Sequence, residues 1–135
     1  MNLRTYPDLY WALRGGGNNF GIVTRFDLVT FPQGDLWGGA IYWTYDNAVT
    51  LLQALQDFNF NAPEDPYATL ILAFAYQQSA DLWLIASEME YGKPLVNPPI
   101  LQNFTNVPSI GSTMRISNLT GLTLEQKAST PSGYR

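Results

Sequence analysis

Apolar and polar positions along the chain sort into a short series of elements. Thr5-Tyr6-Pro7-Asp8 carries the marks of a helix start: Thr5 can cap, Pro7 suits the first turn and Asp8 favours the positive dipole end. Leu9, Tyr10 and Leu13 then share one helical face, and Arg14 with Gly15 supplies a stop, which predicts a helix of roughly two turns. Gly15-Gly16-Gly17-Asn18-Asn19 interrupts any regular element. Over residues 20–31, Ile22, Thr24, Phe26 and Leu28 alternate with Val23, Arg25, Asp27 and Val29. Period two and β-branching predict a strand there, with Arg25 and Asp27 on its wetter face.

Pro32-Gln33-Gly34-Asp35 breaks that pattern, and residues 39–45 read as a second strand. Asp46 is placed to cap a helix running to about residue 60, with Val49, Leu52 and Leu55, beside Leu51 and Phe58, as its apolar stripe. Residues 61–66 form a loop. Residues 67–76 are a continuous apolar run, which suits a strand covered on both faces. A short polar connection at 77–81 lies within hairpin range, so 82–91 pairs back as a fourth strand, its Ser87-Glu88-Met89-Glu90 end partly wet. Pro94, Pro98, Pro99 and Pro108 deny regular structure to most of 92–112. Residues 117–127 read as a short helix with Leu119, Leu122 and Leu124 apolar. The order α-β-β-α-β-β-loop-α predicts an α+β fold with an antiparallel sheet and no internal repeat.

Composition narrows the chemistry. The 135 residues amount to one domain or part of one, and 46% apolar with 13% charged residues excludes intrinsic disorder. The 4 Trp, 8 Tyr and 7 Phe can build a core or large surfaces that expect a partner. A net charge of −4 without any basic run removes the footprint of nucleic-acid binding. Cysteine and histidine are absent, which removes disulfides, zinc sites, cysteine nucleophiles and Ser-His-Asp triads, and no metal site is expected. No apolar run reaches the about 18 residues of a membrane helix, so no membrane partner is expected. Residues 1–7 lack the apolar stretch of a signal peptide, and the chain's localisation stays unassigned.

The densest candidate signal is Gly15-Gly16-Gly17-Asn18-Asn19-Phe20-Gly21-Ile22-Val23-Thr24. Glycines let backbone N–H groups approach a ligand closely; the plainer reading is a helix C-cap followed by a turn. A Rossmann fingerprint lies between a strand and a following helix, whereas the order here is helix, loop, strand. A P-loop ends in Gly-Lys-Ser/Thr, which this segment lacks.

The order matches something else. Pro7-Asp8-Leu9-Tyr10-Trp11-Ala12-Leu13-Arg14-Gly15-Gly16-Gly17, then Asn19-Phe20-Gly21-Ile22-Val23-Thr24, resembles one segment of the vanillyl-alcohol-oxidase/berberine-bridge-enzyme superfamily of flavin oxidases, where it closes the PCMH-type FAD-binding domain. The resemblance extends through Phe26, Leu28 and Phe31-Pro32. Asp65-Pro66-Tyr67-Ala68 and Ser112-Thr113-Met114-Arg115-Ile116-Ser117-Asn118-Leu119-Thr120 are similar to the fungal branch.

The resemblance implies FAD as cofactor, a small-molecule substrate, and a flavin that accepts a hydride from an alcohol, sugar, amine or secondary-metabolite carbon and is usually reoxidised by O₂. It implies flavin contacts at Gly15, Gly16, Gly17, Asn19, Phe20, Gly21, Ile22 and Val23, with Gly21, Ile22 and Val23 foremost. Asn18 stands where the family usually has Gly. The resemblance further implies that residues 1–35 end the FAD-binding domain and 36–135 begin the substrate domain, whose sheet roofs the flavin. Residues 1–4 stand where a strand and turn of the FAD domain would be expected. The family's pyrophosphate-binding region, its covalent attachment residues and its C-terminal Tyr-x-Asn base region have no counterpart in this sequence, which therefore reads as a fragment without a catalytic residue or turnover of its own.

Other candidates have plain counterparts. Glu88 and Glu90 face one way on a strand and could do acid–base work, or form a solvated strand face. Tyr42, Tyr45, Tyr76 and Tyr91 could line a substrate face, with Trp43 and Trp83, or pack in a core. Arg14 reads as a charge at a helix C-terminus or as a phosphate ligand. Asn103-Phe104-Thr105 and Asn118-Leu119-Thr120 are N-glycosylation sequons. A second reading of the whole makes the chain a small stand-alone α+β binding domain without flavin, with residues 39–91 as a ferredoxin-like half.

Overall fold

A computed structural model describes residues 5–129, so the strand and turn expected at residues 1–4 lie outside the described residues. Contacts divide the chain into two units, Met1–Pro32 and Gln33–Arg135.

In the first unit the expected helix forms as α1, Pro7–Leu13. Pro7 sits in its first turn, where a missing N–H costs no hydrogen bond, and Asp8 meets the positive dipole end. Tyr6 rather than Thr5 occupies the N-cap position, with no side-chain cap. Arg14 closes the helix through its N–H on the Trp11 carbonyl.

The strand expected at 20–31 does not form: residues 21–35 carry no regular structure. Ile22, Phe26, Leu28 and Phe31 are exposed, and Val29 is 99% exposed. Alternation defines two faces, but a strand also needs a neighbour for its N–H and C=O groups. Among the described residues this segment has no such neighbour. Arg25 and Asp27 do share a side, joined by an Arg25 Nε–H donating to Asp27 Oδ1 at 2.8 Å.

The second unit holds the sheet. Its strands are β1 (Leu36–Thr44), β2 (Ala68–Gln77), β3 (Leu82–Tyr91), β4 (Gly111–Ser112) and β5 (Arg115–Ser117), and all pairs are antiparallel. Their order is β2-β3-β1-β4, and β5 also pairs with β1. Register sets Trp37 opposite Tyr91 and Trp43 opposite Ile85, and then Ala68 opposite Tyr91 and Phe74 opposite Ile85. Directly opposed residues share a face. One face therefore carries Trp37, Ile41, Trp43, Ile85, Met89 and Tyr91, all buried. Helix α2, Ala48–Asn61, covers this face. Residues 36–91 thus form a split β-α-β unit with a hairpin, the connectivity expected of a ferredoxin-like half.

Three expectations shift here. Asp46 does not cap α2: a tight turn at Tyr45–Asn47 intervenes, and Asn47 holds the N-cap position without a side-chain bond. The buried stripe of α2 is Leu51, Ala54 and Phe58, with Leu55 partly buried, while Val49 and Leu52 are exposed. Both stripes have helical spacing, but only the first brings Phe58 edge-on to Phe104, ring centroids 6.4 Å apart. Strand β2 is not covered on both faces; it is an edge strand, with Leu70 and Leu72 against the core and Thr69, Ile71, Ala73 and Ala75 exposed.

The proline-rich stretch is mostly irregular, yet it contributes to the core. A tight turn at Pro99–Leu101 runs into the single-turn helix α3, Gln102–Thr105, and Leu101 and Phe104 are fully buried. The indole N–H of Trp43 donates to the Val107 carbonyl at 3.2 Å and ties this stretch to β1. The last helix, α4, spans Leu119–Ser129. Leu122 is buried there, whereas Leu119 and Leu124 are exposed. The α+β expectation holds: the described residues form an open antiparallel sheet of five strands with helices packed on it.

Candidate functional site

The glycine-rich turn of the first unit follows α1 directly. The Gly16 N–H donates to the Ala12 carbonyl at 2.9 Å and extends the helix end. A Cβ at Gly16 would lie 2.2 Å from the Phe20 ring and 2.7 Å from the Ala12 carbonyl oxygen, so no side chain fits there. The Asn19 side chain donates to the Gly16 carbonyl at 2.8 Å and braces the turn. Gly16, Asn19 and Phe20 therefore shape the turn, as the plainer C-cap reading requires.

Gly15, Gly17 and Gly21 differ, since a Cβ on any of them would meet open space. Gly17 and Gly21 nevertheless have φ of +57° and +127°. Those values favour glycine for conformational reasons rather than for room. Positive φ among non-glycine described residues is confined to Asp81 and Asn97, so Asn18 occupies backbone that any residue adopts.

A cleft of about 540 Å³ lies against this turn, lined by Tyr10, Leu13, Arg14, Gly17, Phe20 and residues 21–26. Its size falls in the usual range for small-molecule sites, about 300–1,000 Å³. Ile22 is 94% exposed and Val23 is also exposed, offering apolar surface beside the turn. The Arg14 guanidinium stands 5.5 Å from the centroid of the Tyr10 ring, a cation–π contact at the helix end. All eight residues expected to contact a cofactor thus lie in or beside one turn. Phe20, Gly21, Ile22 and Val23 line this cleft with Gly17, while Gly15 and Gly16 line a neighbouring one.

The carboxylates of the second unit are neither a free solvated face nor a roomy site. Glu88 and Glu90 sit on β3, on the sheet face away from α2, opposite Ala40 and Gly38. The Thr69 hydroxyl donates to Glu90 Oε2 at 2.9 Å, and the Gln126 amide of α4 donates to Glu88 Oε2 at 2.5 Å. Burial raises the Glu90 carboxyl above the usual carboxylate range, the Thr69 bond opposes this, and the neighbouring Glu88 adds to the rise. Glu125 on α4 accepts from Thr113 and Arg115, and the Thr113 bond foremost lowers its carboxyl below the usual range. The space among these groups is about 20 Å³, room for a water and not for a substrate. Among the described residues no cluster of acidic side chains could hold a metal ion.

A charge is disfavoured at Glu90, so Glu90→Gln should stabilise the protein at neutral pH. The folded carboxyl is raised, hence its native-state advantage is full at low pH and lost as pH rises through its titration. The variant's gain should therefore shrink on acidification. At this half-exposed position it should stay under about 1 kcal/mol. Denaturation midpoints of the two proteins across the carboxylate pH range check this.

The tyrosines expected to share a substrate face are dispersed. Tyr42 lies half-buried on the face away from α2, opposite Ala86. Tyr91 lies on the α2 face and is buried, its hydroxyl donating to Asp65 Oδ2 at 3.1 Å. Tyr45 and Tyr76 meet Trp83, with ring centroids 6.1 and 5.4 Å apart, in an exposed aromatic cluster. Trp43 is fully buried core.

Comparisons with known proteins bear on the chain as a whole. No family model matches the chain, and no solved structure matches it. Curated fungal proteins do. The chain is 40% identical to the FAD-dependent monooxygenase tpcD of Cochliobolus heterostrophus, over 96% of this chain and 26% of that protein. It is 37% identical to the FAD-dependent monooxygenase FUP4 of Fusarium proliferatum, over 97% of this chain and 26% of that protein. It is 36% identical to the FAD-dependent monooxygenase sdcF of Emericella nidulans, over 97% of this chain and 27% of that protein. The chain spans about a quarter of the length of these relatives.

Proposed function

We propose that this chain is a segment of an FAD-dependent oxidoreductase of the vanillyl-alcohol-oxidase/berberine-bridge-enzyme superfamily. In this reading residues 1–35 end a PCMH-type FAD-binding domain and residues 36–135 begin a substrate domain. The observation that carries it is the alignment of 96% of the chain, glycine turn included, with a relative named as an FAD-dependent monooxygenase.

The turn suits a flavin. Gly15, Gly17 and Gly21 carry no side chain into the open space beside them, so a flat ligand can approach the backbone there. Their backbone groups would bind its polar edge, while Ile22 and Val23 would lie against the ring and exclude water from it. Asn19, Phe20 and Gly16 hold the turn in shape through the contacts described above. Bound FAD would supply the redox step, taking a hydride from a carbon of a small-molecule substrate and returning electrons to O₂. The chain's own part is to orient and shield, and none of its residues is assigned a proton transfer. The stand-alone domain without flavin shares the β-α-β-β connectivity of residues 36–91, so that connectivity favours neither reading.

The test is flavin content. The full-length protein, purified without added cofactor or reconstituted with FAD, should carry about one flavin per chain, seen in its visible absorption and in quenched flavin fluorescence. Protein that folds but takes up no FAD would contradict the assignment.

A further inference from the structure

The two sequons differ sharply in their surroundings. Asn103 lies in α3, and its amide Nδ2 donates to Asp57 Oδ2 on α2 at 3.3 Å. Phe104, the middle residue of that triplet, is fully buried. The Thr105 hydroxyl donates to Asn97 Oδ1 at 2.7 Å. Asn103 is itself exposed, but its acceptor nitrogen, the buried middle residue and the hydroxyl are all engaged, so a glycan on Asn103 would compete with the Asp57 bond.

Asn118 is arranged the other way. It precedes α4, and its Oδ1 accepts the Gly121 N–H at 2.8 Å, an N-cap bond. The cap uses the side-chain oxygen only, and among the described residues no hydrogen bond is made by Nδ2. Asn118, Leu119 and Thr120 are all exposed. Glycosylation substitutes Nδ2 and leaves Oδ1 an amide oxygen, so the cap survives the modification.

We propose that Asn118 is an N-glycosylation site of this protein and that Asn103 is not. The donor class is a polyprenyl-diphosphate-linked oligosaccharide. A bond forms between Asn118 Nδ2 and the sugar's anomeric carbon, the anomeric C–O bond to the diphosphate breaks, and Nδ2 gives up one proton as the polyprenyl diphosphate leaves. The transfer takes place on the lumenal side of the secretory pathway, so the proposal also places the protein there.

Peptide mapping of the full-length protein from its native source tests this, after release of glycans by peptide N-glycosidase in heavy-oxygen water. The expected result is Asn118 converted to labelled Asp, with Asn103 recovered as unmodified Asn. Two variants separate the glycan from the cap. Asn118→Asp keeps a capping oxygen, Thr120→Ala leaves the cap untouched, and each should lose the glycan mass while α4 stays folded by hydrogen exchange. An unmodified Asn118 in the native protein, or a glycan at Asn103 with Asn118 bare, would overturn the proposal.

Discussion

Trp43→Ala should cost the second unit about 3–5 kcal/mol, the range for deleting a large buried aromatic side chain. Trp43 is fully buried near the C-terminal end of β1, in one core cluster with Ile85, Leu51 and Phe104, and it is the largest fully buried side chain of the core. Its removal leaves a cavity and also strips the Val107 carbonyl of its indole donor. That bond joins β1 to the stretch after α3, so the loss should spread beyond the strand. Hydrogen exchange of the full-length protein should show β1, β3 and the 98–107 segment losing protection together, with α1 unaffected. Exchange that rises only at residue 43 and its immediate neighbours would contradict a core organised on Trp43.

Gly21→Val should weaken FAD binding at least about tenfold, which corresponds to ~1.4 kcal/mol. Gly21 holds φ at +127°, where a β-branched residue is strained, and Val would bring a side chain into the cleft that Gly21 lines. Gly34→Val is the matched control. Its Cβ would meet open space, its φ is outside the positive region, and it lies outside the cleft. Titration of both variants of the full-length protein with FAD, followed by flavin fluorescence, should show the loss in the first alone. Equal affinity in the two variants would remove Gly21 from the cofactor site.

Much of the second unit was legible in the sequence because its signals are local. β3 falls where the short connection at 77–81 places it, α1 in the first unit falls where Pro7, Asp8 and the Arg14-Gly15 stop place it though Thr5 is not its cap, and the antiparallel α+β class follows from element order. What was not legible depends on distant partners. Residues 20–31 have the alternation of a strand, but periodicity does not say whether another strand stands beside it. The stripe of α2 was ambiguous because Val49, Leu52 and Leu55 repeat as well as Leu51, Ala54 and Phe58 do; Phe104, far along the chain, selects the second set. β4 and β5 are too short, at 2 and 3 residues, for any pattern to register. Leu101 and Phe104 lie among prolines, where no period marks them as core.

The glycine turn was legible as a place, since the glycines and the exposed Ile22 and Val23 converge on neighbouring clefts. The division of labour within it was not. Only the built turn separates Gly16, whose missing Cβ makes room for Phe20, from Gly17 and Gly21, whose φ values favour glycine.

The measurement that bears most directly on the proposed role of this segment is a structure of the full-length protein loaded with FAD. The expected result is a flavin ring in van der Waals contact with Ile22 and Val23 and hydrogen-bonded by backbone groups of the turn at residues 15–21. A flavin bound elsewhere, with this turn facing solvent, would contradict the assignment.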